Sequence, residues 1–230
     1  GANPTVTTSQ DAVEFVGGDI LLADGANLTI QTNIGNPGSS NGGNITVAGA
    51  IAGSSNENLT LTTGTVGTTG NVSLHDIGAG DQISTISIRG NGKILLDGDI
   101  KTSDANGDAS APSLTLTGAV ELQSNTSITT DTTGTDGIIS FTSSIDSISS
   151  GTKTLTIDSG TAATTVSGNI GTTKALAGLT INSANADTGA ITLTGIGSGT
   201  ASGDAGVIGT TTVGSTGTTT LTLAGSTYNM

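Results

Sequence analysis

Leu59-Thr60-Leu61, Leu114-Thr115-Leu116, Leu155-Thr156-Ile157 and Leu221-Thr222-Leu223 are copies of one phrase: apolar, hydroxyl, apolar. Leu28-Thr29-Ile30, Ile45-Thr46-Val47, Val72-Ser73-Leu74, Ile86-Ser87-Ile88, Leu179-Thr180-Ile181 and Ile191-Thr192-Leu193 repeat it. Alternate residues of a strand face opposite ways, so each copy buries two aliphatics and exposes one hydroxyl. A strand this short cannot bury its apolar face alone. Copies stacked on one another can, and that is the logic of a solenoid.

A second kind of segment lies between these copies. It runs apolar-x-apolar-x-Gly-x-Ile, as in Asn44 to Ile51, Lys93 to Ile100 and Gly189 to Ile196. Successive copies of the first kind are mostly about 24 to 31 residues apart, the interval of one solenoid coil. No segment has a helical period. The pattern predicts an all-β chain forming one parallel β-helix, a β-solenoid of roughly eight to ten coils. Residues 1–17 are the least repetitive and read as an N-terminal cap or exchanged strand, with Phe15 as plug or core. Residues 18–230 read as the solenoid repeats.

Composition supports this. Among 230 residues, 37 are Gly and only 3 are Pro, which suits tight corners and leaves ladder donors intact. Aromatics are 1% of the chain, so the core is built from Val, Ile, Leu and Ala. Gly, Ser and Thr are abundant enough to raise a disordered reading, which the β-branched alternation argues against. With no Cys there is neither disulfide nor thiolate metal site. A net charge of −13 repels phosphate backbones and anionic membranes, which excludes nucleic acid as a partner. No apolar run is long enough for a membrane span, so no membrane insertion is expected.

The run Leu155-Thr-Ile-Asp-Ser-Gly-Thr161, followed by Val166-Ser-Gly-Asn-Ile-Gly171 and Leu176-Ala-Gly-Leu-Thr-Ile-Asn182, resembles the repeats of giant secreted bacterial surface proteins. These are the filamentous-haemagglutinin-like and autotransporter-like β-strand-repeat proteins. The closing Leu221-Thr-Leu-Ala-Gly-Ser-Thr-Tyr-Asn229 is similar to their repeat junctions. The resemblance covers most of residues 18–230, through short and degenerate motifs. It implies a right-handed parallel β-helix, secretion, an extracellular or cell-surface location, and a role as stalk, adhesin or fibre.

Candidate chemistry is sparse. Asp104, Asn106 and Asp108 place oxygen side chains at alternate positions, as calcium loops do. Ala109 stands where Gly is expected and Thr115 where the closing Glu belongs, so the reading of a solvated polar turn is favoured. Calcium is the one cofactor with any motif behind it. His75, the only histidine, follows Val72-Ser73-Leu74 and points outward by alternation. Its neighbour Asp76 faces the wrong way for a Ser-His-Asp triad. The cations Arg89, Lys93, Lys101, Lys153 and Lys174 are scattered, which does not suit a polysaccharide-cleaving groove. Asn27, Asn44, Asn58, Asn71 and Asn125 head glycosylation sequons. Each stands just before a strand, so the cadence of Asn at corners and Thr in strands accounts for them.

The expectation is a non-catalytic structural or adhesive module of a secreted bacterial surface protein. Its partners are further repeats or identical subunits at both ends, and a host or cell-surface ligand. The alternative is a filament or surface-layer subunit polymerising head to tail. Lesser alternatives are an ice-binding solenoid, which uneven coil spacing disfavours, and a polysaccharide-active β-helix.

Overall fold

A computed structural model describes residues 2–33, 41–54, 57–65, 68–80, 82–102, 112–130, 135–184, 186–198 and 204–230. Every regular element there is a strand, and all strand pairs are parallel, as a chain of apolar–hydroxyl–apolar phrases requires. The path winds around three faces. On the first face nine strands stack in order. They are β1 (Thr5–Thr7), β4 (Asn27–Gln31), β7 (Asn58–Thr62), β9 (Thr85–Leu96), β11 (Pro112–Leu122), β13 (Ile138–Phe141), β16 (Thr164–Ile170), β18 (Ile191–Ile196) and β20 (Leu221–Leu223).

The long strands β9, β11, β16 and β18 turn a corner and continue onto the second face. There they join β2 (Val13–Phe15), β5 (Ile45–Val47), β8 (Val72–Leu74) and β14 (Ile145–Ser147). The third face holds β3 (Ile20–Leu21), β6 (Ile51–Ala52), β10 (Ile100–Lys101), β12 (Thr126–Thr129), β15 (Thr154–Asp158), β17 (Gly178–Ile181) and β19 (Thr211–Val213). Single bridges from Ile51 to Ile77 and from Ile77 to Ile100 connect its two parts. The chain is a parallel β-solenoid. Residues 5–7 and 13–15 pair with β4 and β5 and so belong to its first coil.

Register turns the sequence phrases into columns. Ile30, Leu61, Ile88, Leu116, Phe141, Val166 and Leu193 lie one above another, all buried. On the second face Ile45, Val72, Ile94, Val120, Ile145, Ile170 and Ile196 do the same, and on the third Ile100, Ile128, Ile157 and Ile181. Each such side chain contributes roughly 1.5–3 kcal/mol by leaving water. Stacking makes this a single aliphatic core.

Coil lengths differ, yet the columns stay in register. At several corners a buried hydroxyl joins the residues on either side. Thr32 Oγ1 donates to the Gly43 carbonyl (2.7 Å), Thr63 Oγ1 to Gly70 (2.9 Å) and Ser159 Oγ to Ala162 (2.9 Å). The Gly70 carbonyl also accepts from the Gly92 amide of the next coil (3.0 Å). The first corner of β11 turns at Gly118, whose φ is 130° and which sits against the Gly90 carbonyl. A Cβ there would meet that oxygen at 2.2 Å, so only glycine fits.

Candidate functional site

The outward residues of the first face form an unbroken column of hydroxyls: Thr5, Thr29, Thr60, Ser87, Thr115, Ser140, Thr165, Thr192 and Thr222. Parallel in-register pairing spaces them at ~4.8 Å. The uneven coil length in sequence therefore does not break the periodicity of this face.

The sequon asparagines have a structural task. All five use Oδ1 to accept a hydrogen bond from the next coil. Asn27 accepts from Asn58 Nδ2 (2.6 Å), Asn44 from the Asn71 amide (2.9 Å) and Asn58 from Thr85 Oγ1. Asn71 accepts from the Lys93 amide (2.8 Å) and Asn125 from the Thr154 amide (3.0 Å). Aspartates at other corners do likewise. Asp19 holds the Ala50 amide, Asp76 the Asp99 amide, Asp99 the Ser127 amide and Asp146 the Thr173 amide. These four aspartates thus staple one coil to the next.

The second face carries a concavity beside titratable groups. It is an open groove of about 260 Å³ lined by Thr46, Ser73, His75, Leu95, Asp97 and Gln123 among others. Pairing of Ser73 with Leu95 places His75 level with Asp97 of the next coil. His75 Nε2 lies 3.6 Å from Asp97 Oδ2, and both side chains are about half exposed. That is too long for a hydrogen bond, and an exposed pair of this kind contributes little to stability. His75 points outward as its position predicts. Its carboxylate neighbour is Asp97, while Asp76 is occupied by the Asp99 amide. Sequence adjacency could not have found Asp97, since it arrives from the following coil. Ser73 shares the outward face, yet its side chain is not hydrogen-bonded to His75. The groove offers an imidazole, a carboxylate, an amide and the aliphatic surface of Leu95.

Carboxylates also gather near the corner before the first face. Burial, together with the nearby charges of Asp187 and Asp136, holds the Asp158 carboxyl above its usual range against a bond from the Gly160 amide. Asp136 is engaged by the Thr161 amide and hydroxyl (2.7 and 2.6 Å), and Asp187 by the Ala184 amide (2.7 Å). At the corner before β7 Glu57 is fully buried. Burial alone would raise its carboxyl, but hydrogen bonds from Ser54 and from the Gly25 amide outweigh this and hold it below the usual range. Among the described residues no group of three or more His, Asp or Glu side chains is placed to hold a metal ion. The calcium candidate Asp104, Asn106 and Asp108 lies outside the described residues.

The two ends of the solenoid differ from its body. Leu221 and Leu223 occupy the inward columns of Ile191 and Leu193, yet they are 46% and 54% exposed. At the other end Val6, Phe15 and Ile20 are only partly buried against the core, and Leu21 is exposed. Tyr228 folds over part of the last coil, its hydroxyl donating to the Leu193 carbonyl (2.9 Å). No protein-family model matches the chain, and no curated protein or solved structure is significantly similar to it.

Proposed function

We propose that this chain is a non-catalytic structural and adhesive module of a secreted bacterial surface protein. The observation that carries the reading is the continuity of the columns. The same three apolar ladders run through the described coils and make a rod of about 40 Å at ~4.8 Å per strand. Such a rod holds a ligand or a further domain away from a surface. Its outer faces, rich in hydroxyls and acidic in balance, are suited to polar contact with a host or cell-surface ligand. The repeat resemblance to filamentous-haemagglutinin-like proteins supports an extracellular location.

The reading is tested on the source cells. Antibody against the chain should label intact cells without permeabilisation, and soluble chain should compete their adherence to a host-cell or abiotic surface. Labelling only after permeabilisation would overturn the extracellular assignment. Surface labelling without competition would leave a spacer and remove the adhesive role.

A second reading rests on the hydroxyl column of the first face. A rigid periodic row of Thr and Ser is the kind of surface that a crystalline lattice of water could match. Thermal hysteresis in a freezing assay, lost in Thr165→Lys, would favour it. No hysteresis at millimolar chain would dismiss it.

A further inference from the structure

We infer that His75 and Asp97 together hold one first-row divalent transition ion, such as zinc, in the groove of the second face. The inference goes beyond the structural and adhesive reading and does not depend on it. It begins with the side chains that the fold leaves uncommitted. Asp19, Asp76, Asp99 and Asp146 each accept a backbone amide of the next coil. Asp97 does not: among the described residues its carboxylate has no polar neighbour but His75. His75 makes no hydrogen bond through either ring nitrogen among those residues. The hydroxyls of Thr46 and Ser73 line the same groove and are equally without partners there.

Register brings the pair together. Ser73 pairs with Leu95 and Leu74 with Leu96, and the Asp97 amide donates to the Leu74 carbonyl (2.8 Å). His75 and Asp97 are the next outward residues of these two coils, and both line the groove. Nε2 of the one lies 3.6 Å from Oδ2 of the other. That is too long for a hydrogen bond, and it is close to what a shared ion requires. Two ligand atoms bound to zinc at ~2.1 Å, separated by the tetrahedral angle, lie ~3.4 Å apart. Ligation through Nε2 uses the neutral imidazole with its proton on Nδ1. Leu96 pairs with Leu122, which sets Gln123 after Asp97 along the groove. The Gln123 amide nitrogen donates to Glu121 Oε1 (2.7 Å), and its carbonyl oxygen has no partner among the described residues.

The donors select the ion. Imidazole favours zinc, copper and nickel, whereas calcium and magnesium take oxygen ligands. Both side chains are about half exposed, so water fills the positions that the protein does not. Two protein ligands leave the site open, unlike a structural zinc site closed by four. Lys93 is paired with Glu121, so it does not compete for Asp97. A net charge of −13 draws cations toward the surface.

His75 is the only histidine, so one set of imidazole proton resonances reports the site in the unmodified chain. Zinc chloride titrated into the 230-residue chain, with excess calcium present to occupy carboxylate sites, should shift those resonances and saturate at one equivalent. Calorimetry should give one zinc per chain under the same conditions. His75→Ala should abolish that uptake. Asp97→Asn should weaken it by more than the ~10-fold that loss of a group merely orienting a ligand costs. Neither side chain holds a backbone group, so both variants should melt as wild type does without zinc. Should one of them unfold, His75→Gln or Asp97→Ser takes its place. Imidazole resonances that do not move at millimolar zinc overturn the inference, and so does a stoichiometric zinc retained without His75. Unchanged affinity in Asp97→Asn overturns it too, since the imidazole would then bind alone.

Discussion

Asn58 Nδ2 donates to Asn27 Oδ1 across 2.6 Å, from one coil to the coil before it. Asn27 in turn donates to Asn3 Oδ1 (3.1 Å), and Thr85 donates to Asn58. The residue types that would mark glycosylation are here links of a ladder. Asn58→Asp keeps the acceptor for Thr85 and loses the donor to Asn27, whereas Asn58→Ala loses both. Thermal melts should rank them wild type, Asn58→Asp, Asn58→Ala, with the last costing about 1–2 kcal/mol. Equal melting of all three would show that the ladder contributes nothing.

Glu57 joins the Ser54 corner to Gly25 of the preceding coil, and its carboxyl is held below the usual range. A lowered carboxyl stabilises the fold above its ordinary pKa, and that contribution is lost as pH falls through the lowered value. Stability should therefore drop below about pH 4 in wild type. In Glu57→Ala the Ser54 and Gly25 amides lose their acceptor, at a cost on the order of 1 kcal/mol at neutral pH. The acid-dependent part of the loss should be smaller in that variant. Denaturant titrations at pH 7 and pH 3 measure both effects.

Asp158 has the opposite sign. Its carboxyl is raised, so the stability linked to it is present below the ordinary aspartate value and is lost as pH rises through the raised one. Asp158→Asn removes that loss and keeps an acceptor for the Gly160 amide. Its melting temperature should exceed wild type at pH 7, and the advantage should vanish near pH 3. An advantage that is independent of pH would exclude the charge explanation.

Leu116 is fully buried in the first-face column, and its neighbour Thr115 looks outward. Leu116→Asp places an unpaired charge in the aliphatic core and should cost several kcal/mol. Thr115→Asp should change stability by under ~1 kcal/mol. Chemical denaturation of the pair checks the assignment, and two similar midpoints would contradict it.

The apolar–hydroxyl–apolar phrase determined by itself that this chain is built of short strands, and which of their residues face the core. That information is local: alternation needs only the geometry of a strand. The all-β solenoid and the outward position of His75 followed from it. Other features depend on residues a coil apart, which chain distance does not bring together. The pairing of His75 with Asp97, the five asparagine staples and the burial of Glu57 are of this kind. The phrase Leu221-Thr222-Leu223 is indistinguishable in sequence from Leu114-Thr115-Leu116, yet the first is exposed and the second buried. Only the tertiary structure separates them, because burial of a solenoid strand is supplied by its neighbours and not by its own residues.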